Sequence, residues 1–327
     1  MNPTFFRLAL TLLLSAPLAS AVDPFAALDK FSVFTSLQPN SIGADTVLGH
    51  ASPALGFSKG ASVQTCYWLP FAPEAAAKYV QNWNPVPHSS LGVFASGGQG
   101  GYSSLTLSPD SSPQKWLADK SRKATSAAES GDLNLSRKEA EALAQSADPA
   151  QGWRAILASR EAELFATPPY EMGGKSVSPI DELRALLTDN PKIRQEMSPV
   201  FRASGLFGNK GEGAAANLFR HWEFLTAERH GVLTLGASVA SPGSEGSWQL
   251  IDVDYYVSGS YNVSATLYEF WPFTVDGKAG SLVWEDDLVA SSSVAESGGG
   301  MEGMAVTSLF LKEVKEAVKY MKGDAGK

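Results

Sequence analysis

Residues 247–273 read SWQLIDVDYYVSGSYNVSATLYEFWPF, two alternating runs of β-branched and aromatic residues around a Ser/Gly turn. That pattern predicts a β-hairpin. Strand side chains alternate between faces, so a slip of one residue would move every side chain to the wrong side of the sheet. The register is therefore legible. A three-residue loop at Ser258, Gly259 and Ser260, with the glycine left-handed, sets Val257 opposite Tyr261, Tyr255 opposite Val263, Val253 opposite Ala265 and Ile251 opposite Leu267. One face is then wholly apolar. The other pairs Tyr256 with Asn262, Asp254 with Ser264, Asp252 with Thr266, Leu250 with Tyr268 and Trp248 with Phe270, a polar face with an aromatic end. A two-residue loop would set Val253 against Ser264 and mix apolar with polar positions on both faces, so the three-residue loop is the expected one.

Outward from the hairpin, strand patterns recur at 61–69, 91–96, 221–226, 232–240 and 281–290. The later strands follow one another with short connections, which implies an antiparallel sheet. The middle of the chain is helical. Asp148-Pro149, Ser178-Pro179 and Asn190-Pro191 each place a side-chain acceptor before a proline, the signature of a helix start. Ser136 and Glu139 add a capping box, and Ser178 with Asp181 an acidic version of one. Leu311, Val314, Val318 and Met321, with Met304 before them, form the apolar stripe of a last helix, with Gly323 placed to cap it. Such a helix packs most simply across the apolar face of the sheet.

The fold class expected is α+β: an antiparallel sheet from the C-terminal half, covered by a long C-terminal helix, with a helical middle segment. The boundaries are a signal at 1–21, a strand-helix-strand region at 22–113, helices at 114–213, and the sheet with its helix at 214–327. The first and last structural regions can share one domain.

With 327 residues the chain can bury a sizeable core, and 44% hydrophobic against 18% charged residues places it with globular proteins. A net charge of -8 without a Lys/Arg cluster argues against nucleic acid, whose phosphates need a basic surface. Arg7, the apolar run from Leu8 to Leu14 and Ala19-Ser20-Ala21 have the layout of a cleavable export signal, and the run is too short to span a bilayer. Export to a periplasm or beyond the cell follows. Val22 rather than cysteine follows the cut, so no lipid anchor is indicated. Cys66 is the only cysteine, which excludes an internal disulfide, and its strand-like surroundings make it a buried small hydrophobe.

Few motifs carry chemistry. Gly56-Phe57-Ser58-Lys59-Gly60 matches the G-x-S-x-G nucleophile elbow, but that motif needs a helix after the serine and a strand pattern follows instead. His50, His88, His221 and His230 form no metal-ligand pair, and Gly208 to Gly213 lacks both phosphate-loop and dinucleotide spacing, so no cofactor or metal is expected. Glu285-Asp286-Asp287 reads as solvated charge, because alternation separates neighbours in a strand. Asp252 and Asp254 differ, since a two-residue offset puts both carboxylates on one face. With Tyr256, Ser264, Thr266 and Tyr268 beside them they suit a sugar, a polar ligand or a cation; the plainer reading is a solvated outer face. The function expected is an exported, non-catalytic protein that binds a small molecule, a glycan or an envelope partner. An exported hydrolase using Ser58 or the Asp252/Asp254 pair is the alternative, and a structural envelope protein a third.

Intact-mass measurement of exported protein should give a chain that begins at Val22; retention of residues 1–21 would contradict the signal.

Overall fold

The computed structural model describes residues 23–172, 175–208, 217–297 and 301–327, and of residues 296–297 and 301–304 the backbone alone. The signal at 1–21, residues 209–213 of the second Gly-rich break and the side chain of Met304 lie outside this description. The strands are β1 (Val47–Ala51), β2 (Gly60–Leu69), β3 (Val93–Gly98), β4 (Tyr170–Met172), β5 (Lys175–Val177), β6 (Phe219–Ala227), β7 (His230–Pro242), β8 (Trp248–Val257), β9 (Val263–Val275) and β10 (Lys278–Ala290). The helices are α1 (Pro24–Phe31), α2 (Pro73–Gln81), α3 (Ser112–Ser121), α4 (Ala124–Ser130), α5 (Arg137–Ala144), α6 (Pro149–Glu163), α7 (Pro179–Thr188), α8 (Pro191–Glu196), α9 (Ser198–Ser204), α10 (Ser292–Ser297) and α11 (Met301–Ala325).

The fold is α+β, as expected. Eight strands form one antiparallel sheet in the order β1-β2-β10-β9-β8-β7-β6-β3, and β4 and β5 make a separate small hairpin. The successive strands β6 to β10 lie side by side, so each is joined to the next by a short turn. The N-terminal strand-helix-strand is not a local unit. Its strands β2 and β3 sit on opposite sides of the C-terminal strands, and α2 crosses the sheet between them over β7, β8 and β9.

The middle helices start where their caps put them. Asp148, Ser178 and Asn190 accept backbone N–H groups of the first turns of α6, α7 and α8, and Ser136 and Glu139 close a reciprocal capping box on α5. Their apolar stripes meet the apolar face of the hairpin. Ile251, Val253, Tyr255, Ala265 and Leu267 share one buried core with Leu117, Trp153, Leu157, Leu183 and Leu186, and Cys66 is buried and unpaired within it. Burial raises the Cys66 thiol far above its ordinary pKa.

The last helix covers the sheet, but on the other face. The middle helices already occupy the apolar side, so α11 and α2 lie on the side of Leu250, Tyr67 and Val283, where Ala76, Ala77, Val318 and Met321 complete a smaller core. The two covering helices are tied together. Tyr79 donates to the Met321 carbonyl oxygen at 2.7 Å, and Asp324 takes Trp83 Nε1 at 3.1 Å and His88 Nε2 at 2.7 Å. Helix α11 runs through Gly323, the expected cap, to Ala325.

The expected hairpin register is present, with Trp248 opposite Phe270, Leu250 opposite Tyr268, Asp252 opposite Thr266 and Val253 opposite Ala265. The ladder stops at Asp254 and Ser264, so the three outermost expected pairs, Tyr255 with Val263, Tyr256 with Asn262 and Val257 with Tyr261, do not belong to it, and Val257 pairs with Thr234 of β7 instead. Asn134 holds the open end: its side-chain amide donates to the carbonyl oxygens of Val257 at 3.0 Å and Tyr261 at 2.9 Å. Ser260, not Gly259, is left-handed at φ 67°. Gly259 is needed for a different reason, because a Cβ there would lie 2.5 Å from the Asp132 carbonyl oxygen.

Tyr256 departs from the expected face. The β7–β8 pairing shifts between Leu235 and Gly236, leaving Tyr255 as the extra residue of a bulge, and a bulge reverses the alternation beyond it. Tyr256 therefore turns into the main core, where the Arg160 guanidinium lies 4.1 Å from its ring centroid and is held by two 2.7 Å bonds to Glu139.

Val253→Asp should destabilise the protein by at least about 3 kcal/mol, because it buries a carboxylate with no partner. Chemical denaturation that shows less than 1 kcal/mol (about a fivefold change in the folding equilibrium) would place Val253 outside the core.

Candidate functional site

On the face covered by α2 and α11, strand alternation lines up polar residues across four strands. One row runs Asp252, Thr266, Asp287 across β8, β9 and β10; the next runs Leu250, Tyr268, Glu285, Thr65 and reaches β2. Asp252, Thr266, Tyr268, Glu285 and Asp287 of these rows floor a groove of about 1130 Å³ walled by the end of α2 and by α11 from Val306 to Met321. The acidic residues along it include Glu223, Asp252, Glu285, Asp287, Glu313 and Glu316, against His221 and Arg229 as basic ones. The face expected to be solvated is therefore a covered one.

His221 and Glu223 belong to this floor because β6 alternates: Trp222 and Phe224 point into the main core and their neighbours point away. Gly236 of β7 lies opposite His221. A Cβ on Gly236 would come within 2.1 Å of His221 Nε2, so the glycine leaves the space in which the imidazole reaches across β7 toward β8. There Nε2 lies 3.6 Å from Asp252 Oδ1, with side-chain exposures of 17% and 35%, too long for a direct hydrogen bond and short enough for charge attraction. Nδ1 of His221 is buried without a partner among the described residues.

Asp254 is half-buried and accepts hydrogen bonds from Ser264 at 2.7 Å and Tyr261 at 3.4 Å. Burial pushes its pKa up to about 6, with His221 and the Ser264 bond acting the other way. Burial likewise pushes Glu223 up to about 7 against the pull of His221. For His221 burial favours the neutral ring, but Asp252, Glu223 and Asp254 together outweigh it and raise the pKa above its ordinary value.

The acidic triplet of β10 is not solvated. Glu285 and Asp286 are 5% and 1% exposed, because β10 lies inside the sheet between β2 and β9. Alternation does separate them as expected. Asp286 faces the other side, where it accepts from Ser62 and burial pushes it up to about 7. Glu285 and Asp287 share the groove floor. Thr65 donates to Glu285 at 2.9 Å and Thr266 to Asp287 at 3.0 Å. Burial raises both pKa values, and for Asp287 the charge of Glu285 adds to it.

Of the candidates read from the sequence, Asp252, Thr266 and Tyr268 line the groove and Asp254 sits beside them; Tyr256 does not join them. Ser58 stands apart. It is exposed, β2 follows it rather than a helix, and Asp189 accepts the backbone N–H groups of Gly56 and Phe57 at 2.9 and 2.7 Å instead of orienting a histidine. His221 is five strands away from β2, about 24 Å at ordinary strand spacing. Among the other histidines, His88 is bonded to Asp324 and His230 stacks on Trp116. Sequence reasoning missed His221, Glu223, Glu285 and Asp287, although the alternation in HWEF and in VWEDDLV carried the signal. A smaller cavity of about 440 Å³, lined by Arg194 and Arg202, lies at α8 and α9, away from the acidic floor.

Among the described residues no three His, Cys, Asp or Glu side chains converge on a metal position, and no helix is long and apolar enough to cross a membrane. No family model, curated protein or solved structure matches the chain.

The raised pKa values fix the sign of the pH dependence. Glu223, Asp254 and Asp286 bind protons more readily folded than unfolded, so stability declines as pH rises from about 4 through their folded values. For His221 the contribution is present below its unfolded pKa near 6.5 and is lost as pH rises through the raised folded value, the same direction. The melting temperature should fall by about 5 °C or more between pH 5 and pH 8. Asp254→Asn should flatten that decline; a melting temperature that rises over this interval would contradict the assignment.

Proposed function

We propose that the chain is an exported, non-catalytic binding protein whose ligand is an organic cation held in the groove between the sheet and α2 and α11. The observation that carries this is the imbalance of charge on the groove lining, six or more carboxylates against His221 and Arg229. A cleft lined by one sign of charge concentrates ligands of the other sign, and its low-dielectric walls strengthen the attraction. The groove has the size of a small-molecule site, and Tyr268, Val314 and Phe310 supply apolar surface beside the charges. Of the ligands suggested by the hairpin residues, a neutral sugar needs no such excess of carboxylates, and an amine does.

Thermal-shift titration with spermidine, putrescine and neutral oligosaccharides tests this. The amines should raise the melting temperature at pH 7, with an effect that shrinks in added salt, and Asp252→Asn should weaken it by about tenfold, the scale of one charge-assisted contact. Stabilisation by oligosaccharides with no response to amines would overturn the cationic reading. A second reading, hydrolysis by the Asp252/Asp254 pair, draws support from Asp254, whose carboxyl burial pushes up to about 6, toward the range of a general acid. Turnover of chromogenic glycosides that is abolished by Asp254→Asn would promote it. Ser58 has no part in either reading.

A further inference from the structure

Independently of the groove, we propose that the smaller cavity at α8 and α9 is a second binding site, one that takes a small aromatic carboxylate. The cavity of about 440 Å³ lies on the opposite face of the sheet, where Ile193, Met197, Val200 and Phe201 join the main core. Arg194, Ser198, Phe201, Arg202 and Gly205 line it, and they recur at the spacing of one face of a helical run that passes from α8 into α9. Two arginines therefore flank one space. Neither has an ion-pair partner among the described residues. Arg202 donates to Ser198 Oγ at 3.4 Å, and the pKa of Glu196, the carboxylate between them in sequence, is raised by burial and pulled down by Lys30 of α1 rather than by either arginine.

Phe207 supplies the independent sign of a ligand. The large apolar side chains exposed among the described residues all stand in the two cavities, Phe219, Val306 and Leu309 in the groove and Phe207 here, 37% exposed. A surface that keeps its other large apolar side chains covered leaves these where a ligand can cover them. The exposure of Phe207 is built in. Leu206 beside it is fully buried, its N–H donates to Ser204 Oγ at 3.2 Å and its carbonyl oxygen accepts from Arg184 Nε at 3.0 Å, while Gly205 is left-handed at φ 69°. With Leu206 fixed inward the next side chain projects outward, and its ring centroid stands 5.3 Å from that of Phe201, an aromatic wall beside the arginines. A planar apolar body meets such a wall by ring contact, and a carboxylate accepts two parallel N–H bonds from a guanidinium fork. An inorganic anion would satisfy the arginines and leave Phe207 in water, and a neutral aromatic would do the reverse. An aromatic carboxylate satisfies both.

Calorimetric titration of the whole protein with cinnamate, cinnamyl alcohol and sulfate tests the site. Cinnamate should saturate a single site per chain, and the alcohol and sulfate should each bind about tenfold more weakly, since each lacks one half of the contact. Arg194→Gln, Arg202→Gln and Phe207→Ala should each weaken cinnamate binding by about tenfold with the melting temperature unchanged, because all three side chains are exposed. Should Phe207→Ala not fold, the two arginine variants carry the same expectation. Failure of wild-type protein to bind cinnamate, or equal affinity in wild type and both arginine variants, would overturn the site. Cinnamyl alcohol bound as tightly as cinnamate would make the cavity an apolar patch, and sulfate bound as tightly would make it a plain anion site; either result overturns the proposal.

Discussion

The structure depends on how the two faces of one sheet are shared out. An antiparallel sheet with an apolar side and a polar side usually leaves the polar side to water. Here the middle helices occupy the apolar side completely, with Trp153, Leu157, Leu183 and Leu186 packed against Ile251, Val253 and Leu267. The last helix, which carries its own apolar stripe, has only the other side left. Its buried anchors are few, Val318 and Met321, and they meet Tyr67, Leu250 and Val283 at one end of that face. The rest of the face keeps the carboxylates and hydroxyls of an exterior surface under a roof, and a groove results.

Covering charged residues has an electrostatic consequence. Ion pairs elsewhere in the protein follow ordinary rules: Arg160 meets Glu139 in the core, and Lys115 meets Asp119 on an exposed helix. The groove floor breaks them, since Glu285 and Asp287 have no ion pair among the described residues and His221 stands 3.6 Å from Asp252, too far for a direct hydrogen bond. Buried carboxylates without counter-charges hold protons at a pH where exposed ones do not. A floor in that condition responds to cations, because a bound positive charge relieves the repulsion that burial intensifies.

Two backbone irregularities set the limits of the site. The bulge at Tyr255 turns Tyr256 away to Arg160, so the polar row ends at Asp254. Gly236, on the neighbouring strand, removes the side chain that would otherwise stand between His221 and Asp252. Together they bring a histidine from β6 to the carboxylates of β8, residues some thirty positions apart in the chain and separated in the sheet by one intervening strand.

By itself the sequence determined the elements and much of their pairing. Asp148, Ser178 and Asn190 mark helix starts through local capping, and the alternation from Trp248 to Phe270 sets the register of the hairpin; both depend on neighbours along the chain or across one turn. It also put Asp252 and Asp254 on a common face, and separated Asp286 from Glu285 and Asp287. Only the tertiary structure decided which face is roofed, that Glu285 is buried and Asp287 half-buried rather than solvated, and that His221 and Glu223 join Asp252. Those outcomes depend on the order of strands in the sheet and on which helix reaches each side first. Burial is a property of the whole assembly, and alternation within a strand specifies a side chain's face without specifying what will cover it.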